Sequence, residues 1–304
     1  MSKLLLDIYD LEDMNRYLKL GINAFIINIV EFSSEKMSNI YLEQVKIITE
    51  LSEDIDIFIN LDRLYFDEDI NSIKTLLKKL NKMKVKKIMT CDIGMIEIVK
   101  ELGLKFEIFN GSSTLNTNYQ SINYLSNYYR GFLLSNEINA EEINEIADNT
   151  NTILILQIYG KQLMFTSKRK LLTSYFQYNN MEVTAFNAQH PLIIKDASQD
   201  PNYSYIYEDN NGTYITTLNN INAVDYFESF KEHGINYLYL NNLFIDKNVY
   251  YVMVKIYNDF LNEYIGIIDA QARTYLLDGT SHDSFLENKT VFNLDDIKER
   301  ETLF

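Results

Sequence analysis

The stretch that decides the fold runs from Ile55 to Leu102, IDIFINLDRLYFDEDINSIKTLLKKLNKMKVKKIMTCDIGMIEIVKEL. It holds one pattern twice. Ile55–Ile59 and Lys87–Thr90 are apolar runs of strand length. Each is followed by a segment, Ile70–Met83 and then Ile93–Leu102, whose apolar residues recur at helical spacing. Strand and helix in strict alternation mean parallel strands covered by helices.

The same alternation extends in both directions. Leu4–Ile8, Ala24–Ile29, Phe106–Phe109, Gly131–Leu134 and Ile153–Ile158 read as further strands, with helices at Leu11–Leu20, Leu42–Leu51, Gln120–Ser126 and Ala140–Ala147. An eighth strand at Asn236–Leu240 precedes a helix at Val249–Tyr264. Eight units predict an α/β chain folded as a (β/α)8 TIM-barrel-like domain. Residues 1–160 form its first seven units, 161–230 an inserted subdomain before the last strand, 231–265 the last unit, and 266–304 a C-terminal extension. The polar, Asn- and Tyr-rich Gln177–Gly212 belongs to the insertion, and the charged tail from Ala270 reads as loosely packed. Periodicity does not show closure, so a doubly wound open sheet is the alternative.

Composition narrows the function classes. With 304 residues and 46% hydrophobic content the chain can bury a sizeable core. A net charge of −15 opposes broad attraction to nucleic acid and leaves room only for a local basic patch. Two basic runs exist. Lys78, Lys79, Lys82, Lys84, Lys86 and Lys87 read as a solvated helix end, whereas Lys161, Lys168, Arg169 and Lys170 are equally suited to solvation and to anion contact. The single cysteine, Cys91, rules out an intrachain disulfide and fits a reducing compartment. Acids interrupt the N-terminal apolar run too early for a signal peptide, and no stretch has the length of a membrane span, so the chain reads as a soluble cytoplasmic protein with no membrane partner.

Barrel chemistry gathers at the C-terminal ends of strands. Asp92 and Gly94 follow the fourth strand, and Gly111, Ser113, Thr114 and Asn116 follow the fifth, where glycine and hydroxyls can present donors to an anion or make an ordinary turn and cap. No hydrolytic set can be assembled. His190, His233 and His282 lack metal spacing, no serine sits in a G-x-S-x-G elbow, and Cys91 reads as a buried structural residue.

Gln157 to Tyr175, QIYGKQLMFTSKRKLLTSY, resembles a shortened signature of the U32 "collagenase-like" peptidase family. Gln157, Tyr159 and Gly160 match its opening; Ser167, Arg169, Leu171 and Leu172 match its close. Gly21–Ile26, Cys91–Gly94, Ser113–Asn116, Leu133–Ile138, Asn211–Ile215 and Tyr250–Val252 resemble other segments of the family, in the family's order. There are departures. The family's two cysteines fall at Leu163–Phe165 and Lys170, its glutamate is Gln157, and its late K-I-E-G-R segment is here Tyr239–Leu243.

The resemblance implies a function. Better-understood members are iron–sulfur proteins supporting hydroxylation of tRNA, ribosomal RNA or ubiquinone precursors, and this chain looks most like the short, cysteine-poor tRNA-hydroxylation type of paralogue in Bacillus-like bacteria. An iron–sulfur cluster needs several thiolates. The expectation is therefore no metal and no cofactor in this chain, a cluster in a cysteine-bearing U32 paralogue as partner, tRNA as the second partner, and prephenate as a compound of the pathway. The predicted role is a subunit in wobble-uridine hydroxylation, with Asp92, Gly94, Gly111, Ser113, Thr114, Asn116, Gln157, Tyr159, Gly160, Ser167, Lys168, Arg169 and Lys170 as candidate substrate- or RNA-binding residues. A U32 peptidase and a non-catalytic scaffold are the competing readings.

Overall fold

Parallel strands with helices outside and other strands inside must be apolar on both faces, and the buried runs of this chain meet that requirement. The computed structural model describes residues 2–33, 37–51, 54–182, 187, 190–195 and 203–287. In chain order its first elements are β1 (Lys3–Asp7), α1 (Leu11–Leu18), β2 (Ala24–Asn28), α2 (Leu42–Leu51), β3 (Asp56–Leu61), α3 (Ile70–Lys82), β4 (Lys87–Thr90) and α4 (Gly94–Glu101). Next come β5 (Glu107–Asn110), α5 (Tyr119–Leu125), β6 (Gly131–Leu133), α6 (Ala140–Asp148) and β7 (Ile153–Gly160). The insertion holds β8 (Leu163–Ser167), α7 (Leu171–Tyr178), β9 (Leu192–Lys195), β10 (Tyr203–Asp209) and β11 (Gly212–Thr217). The chain closes with β12 (Ile221–Asn222), α8 (Phe227–Glu232), β13 (Tyr237–Leu240), α9 (Lys247–Leu261) and α10 (Ile267–Leu277).

Helix α3 shows how the pattern becomes structure. Ile73, Leu76, Leu77 and Leu80 are buried against the barrel while Lys78, Lys79 and Lys82 stay in solvent. Lys79 and Lys82 lie in the last turn, where the helix dipole favours cations. Lys87, the last residue of that basic run, turns instead into the barrel base, where it pairs with Asp56. Asn139 and Glu142 start α6 with a reciprocal capping box, and the Asp246 carboxylate caps α9 through the N–H groups of Asn248 and Val249.

The strand order β7-β13-β1-β2-β3-β4-β5-β6 closes on itself because β6 also pairs with β7, in the register Gly131↔Ile153, Phe132↔Leu154 and Leu133↔Ile155. The sheet is a closed (β/α)8 barrel. Its interior is packed by Leu5, Ala24, Ile26, Phe58, Met89, Phe109, Leu133, Ile155, Tyr237 and Tyr239, with Phe58 edge-on to Phe109 and Tyr237 at centroid distances of 4.8 and 5.2 Å. A larger apolar layer lies between strands and helices.

The insertion forms its own antiparallel sheet in the order β8-β11-β10-β9, with Leu172 of α7 packed on Ile206. The chain rejoins the barrel through β12, which pairs antiparallel with β7. The tail differs from expectation. Its described part is tied in: Ala270 and Thr274 of α10 are buried, Tyr159 donates to Asp278 at 2.9 Å, and the Ala140 N–H donates to the Leu286 carbonyl at 3.0 Å. Too few apolar residues carry that contact for a periodic signal, and polar side chains supply much of it. Residues 288–304 of the extension lie outside the described residues.

Candidate functional site

Strand ends at the C-terminal side of the barrel carry polar side chains at positions that would otherwise be apolar: Asp7 ends β1, Asn28 ends β2, Asn60 is next to last in β3 and Asn110 ends β5. All are buried. Three of them form a directional relay with β13. Asn60 Nδ2 donates to Asn28 Oδ1 (2.7 Å), and Asn28 Nδ2 donates to Asp7 Oδ1 (2.7 Å). From the other side the Tyr239 hydroxyl donates to Asp7 Oδ2 (2.6 Å) and accepts from Asn241 Nδ2 (3.1 Å), whose Oδ1 accepts from the Leu243 N–H (2.8 Å). Burial, reinforced by the Asp7 charge, holds the Tyr239 hydroxyl far above the usual phenol range, so it stays a donor.

Above this relay lies a cavity of about 480 Å³ between the barrel mouth and the insertion. Ile26, Met89 and Leu133 give it an apolar floor. Its walls come from Asn60 in β3, Asp62 and Arg63 after it, Cys91 after β4, Gly111 to Leu115 after β5, Asn136 and Glu137 after β6, Gln157 and Lys161, and Tyr239, Asn241 and Leu243. Leu163 to Thr166, Lys168, Tyr207, Tyr214 and Thr216 contribute from the insertion. The volume falls in the range of small-molecule and cofactor sites.

Two basic wall residues, Arg63 and Lys161, are held in place by carbonyls. Arg63 donates to the Ser33 carbonyl from Nε (3.0 Å) and Nη2 (2.7 Å) and to the Glu31 carbonyl from Nη1 (2.8 Å). Lys161 Nζ donates to the Leu218 carbonyl at 2.6 Å, and burial lowers its pKa to about 8. Gln157 Nε2 donates to the Lys161 carbonyl at 2.9 Å.

The candidate residues separate in space. Gly111, Ser113, Thr114, Gln157 and Lys168 line the cavity. Gly111 sits where a Cβ would lie 2.6 Å from Met89 Cγ, which suits only glycine. Gln157 lies within β7, three residues before its end, because the strand runs on to Gly160. Lys168 Nζ stands 3.7 Å from Asp69 Oδ2 and 4.2 Å above the Phe66 ring. The others support the frame. Asp92 accepts from the N–H groups of Gly94 (2.8 Å) and Tyr65 (3.3 Å), so both Asp92 and Gly94 belong to the start of α4. Buried Asn116 donates to Asn110 Oδ1, the Ser112 carbonyl and the Leu133 carbonyl (3.2, 3.1 and 2.7 Å), fixing the turn that presents Ser113 and Thr114.

Tyr159 faces the helical layer and bonds Asp278. Gly160 takes φ +108°, and a Cβ there would meet the Asn241 carbonyl oxygen at 2.4 Å, so this glycine lets the end of β7 lie close against the chain leaving β13. Ser167 accepts from the Arg169 N–H at 3.2 Å, while the Arg169 and Lys170 side chains are exposed and Lys170 reaches Asn210 at 3.4 Å. Of the basic triplet, Lys168 alone touches the cavity.

Several wall residues escaped sequence reasoning: Asn60, Arg63, Tyr239 and Asn241, with Asp7 and Asn28 behind them. A signal existed, in carboxamides and a carboxylate ending apolar strands. Cys91, read as buried and structural, is half-buried and on the cavity wall. Among the described residues no group of three or more His, Cys, Asp or Glu gathers as a metal site, and no histidine lines the cavity. A cluster held by several thiolates does not fit a chain with one cysteine.

Known proteins share parts of this chain. The tRNA hydroxylation protein P2 of Bacillus subtilis (strain 168) is 23% identical over 229 residues, which are 74% of each chain. Among solved structures, the U32 peptidase Mk0906 is 11% identical and aligns over 60% of this chain and 80% of its own, with a TM-score of 0.44. Phosphoribosyl anthranilate isomerase from Thermus thermophilus is 14% identical over 51% of this chain and 76% of its own, with a TM-score of 0.36. The model of the family described as Peptidase family U32 matches residues 9–288, and the chain belongs to that family.

Proposed function

We propose that this chain is a subunit in the hydroxylation of tRNA, acting toward 5-hydroxyuridine at the wobble position. The observation that carries the reading is the cavity at the barrel mouth, a pocket with an apolar floor and carboxamides and hydroxyls in its walls that has neither the thiolates for a cluster nor a histidine beside Cys91. A binding role suits such a wall; peptide hydrolysis does not, since a cysteine nucleophile needs an adjacent base. The name of the Bacillus subtilis relative supports tRNA as the substrate.

In this reading the iron–sulfur cluster sits on a cysteine-bearing U32 paralogue that joins this chain in a cytoplasmic hetero-complex, and prephenate belongs to the pathway. Lys168, with Arg169 and Lys170 beside it on the exposed edge of the insertion, supplies the cations that meet RNA phosphate at the rim. Deleting the gene in its host and quantifying tRNA nucleosides by mass spectrometry tests the reading, with any redundant hydroxylation pathway also removed. A fall in 5-hydroxyuridine derivatives is expected. Unchanged levels would leave the scaffold or peptidase reading in its place.

A further inference from the structure

Two carboxamides on opposite walls of the cavity are locked so that each shows it an oxygen. Asp7 is the fixed point for the first. A carboxylate only accepts, so Asn28 must turn its Nδ2 toward Asp7 and its Oδ1 toward Asn60. Asn60 must then give its Nδ2 to Asn28, and its Oδ1 is left over. On β7, across the barrel from β3, Gln157 gives its Nε2 to the Lys161 carbonyl, which also only accepts, and its Oε1 is left over. Asn60 and Gln157 are 7% and 5% exposed, both line the cavity, and neither oxygen has a partner among the described residues. Neither oxygen is fully sealed from solvent. Buried polar atoms of native proteins are paired, so two open acceptors on opposite walls of one pocket mark the places of two donor groups on an occupant.

The turn after β5 supplies the complementary groups. The hydroxyls and backbone N–H groups of Ser113 and Thr114, both on the wall, donate to no described residue. Acceptors on two walls and donors on a third, over an apolar floor of Ile26, Met89 and Leu133, match a flat ring that carries N–H and C=O side by side. An anion would set its charge against two carboxamide oxygens.

The geometry points to a pyrimidine-2,4-dione nucleoside as the occupant: its imide N–H is read by the Gln157 oxygen, its carbonyls by the Ser113–Thr114 turn, and a sugar hydroxyl on the opposite side of the ring by the Asn60 oxygen. This rests on the tRNA-hydroxylation reading for the identity of the ring as the target uracil, taken out of its stack into the pocket as enzymes acting on bases do. Gln157 then sets base specificity, and Asn60 seats the sugar.

The test is a titration of the full chain with uridine and with 3-methyluridine, which lacks the imide proton, followed by ligand-observed NMR. Uridine should bind and 3-methyluridine should bind about tenfold or more weakly, because a methyl group facing a buried acceptor leaves it unpaired. Gln157→Ala, which leaves the relay intact, should weaken uridine binding and shrink the discrimination, with its thermal melt reporting that it folds. Absence of uridine binding by the wild-type chain, or equal binding of the two nucleosides, overturns the inference. If 5-hydroxyuridine falls in the deletion strain while uridine fails to bind, the ring assignment is wrong and the tRNA reading stands. If uridine binds selectively while the tRNA nucleosides stay unchanged, the ring assignment stands and the tRNA reading falls.

Discussion

The two ends of the barrel interior hold similar atoms in opposite states of satisfaction. At the N-terminal end, Asp56 accepts from Lys3 (2.7 Å), from Lys87 and from the Tyr237 hydroxyl (3.0 Å), and the group closes on itself. At the C-terminal end, Asp7 anchors a relay of neutral side chains that stops at an open Asn60 oxygen beside the cavity. Strands β1, β3 and β13 contribute to both. Charges paired with each other need nothing further and hold the barrel together, whereas a relay that ends one partner short is completed by a ligand. Stability and recognition are thus divided between the two ends of one sheet.

Gly160→Ala should break this division most severely, since β7 enters the mouth through it. A Cβ 2.4 Å from a backbone oxygen, at φ +108°, should cost about 3 kcal/mol or more in denaturant unfolding. Gly234, also at positive φ but with nothing within 4 Å of a Cβ, should lose only about 1 kcal/mol as the matched Ala control.

Asp56→Ala follows, at about 2 kcal/mol, because Lys87 loses its ion-pair partner. Burial works to raise the Asp56 pKa, but hydrogen bonds and charge from Lys3 and Lys87 outweigh it and hold the carboxyl below its ordinary value of 3.8. A depressed folded pKa gives stability that is full above the unfolded value and is lost as pH falls through the folded one. The gap between wild type and Asp56→Ala should therefore be flat from about pH 5 to 8 and close below about pH 4. A gap that widens in acid would contradict the assignment.

Asn60→Ala sharpens the comparison at the other end. It should cost only about 1 kcal/mol, from leaving Asn28 Oδ1 unpaired, yet remove most uridine binding in the NMR titration. An unfolding cost matching Asp56→Ala, with binding intact, would erase the difference between the ends.

The smallest stability effect belongs to the triple replacement of Lys168, Arg169 and Lys170 by Ala. Lys168 has one loose ion pair at 3.7 Å and the other two are exposed, so unfolding should shift by about 0.5 kcal/mol or less. Complementing the deletion strain with this variant should nevertheless leave 5-hydroxyuridine derivatives reduced. Full restoration would remove the rim cations from the function.

Much of the fold was legible because its signal is local. The helical period of Ile73, Leu76, Leu77 and Leu80 and the apolar run Lys87–Thr90 announce themselves within a dozen residues. The site was legible only in part. Gly111, Ser113, Thr114 and Gln157 were found because they follow or sit in strands in recognisable segments, while Tyr159 and Asn116, equally marked in sequence, turn away to brace the helical layer and the β5 turn. Lys161 was singled out as one of a basic run, but its burial depends on the insertion that folds over it.

Sequence alone determined the strand and helix alternation, membership of the U32 family through its ordered segments, and a donor set too poor in thiols for a cluster. Tertiary structure decided closure, because β6 and β7 pair across the seam through registers that no periodicity encodes. It also decided which atoms the cavity offers. The Asn60 oxygen is free only because Asn28, 32 residues earlier, takes its amide, and Asn28 is oriented by Asp7, which also holds Tyr239 232 residues away. Hydrogen-bond direction is set by partners brought together in space, so a carboxamide in a sequence has no face until the fold assigns one.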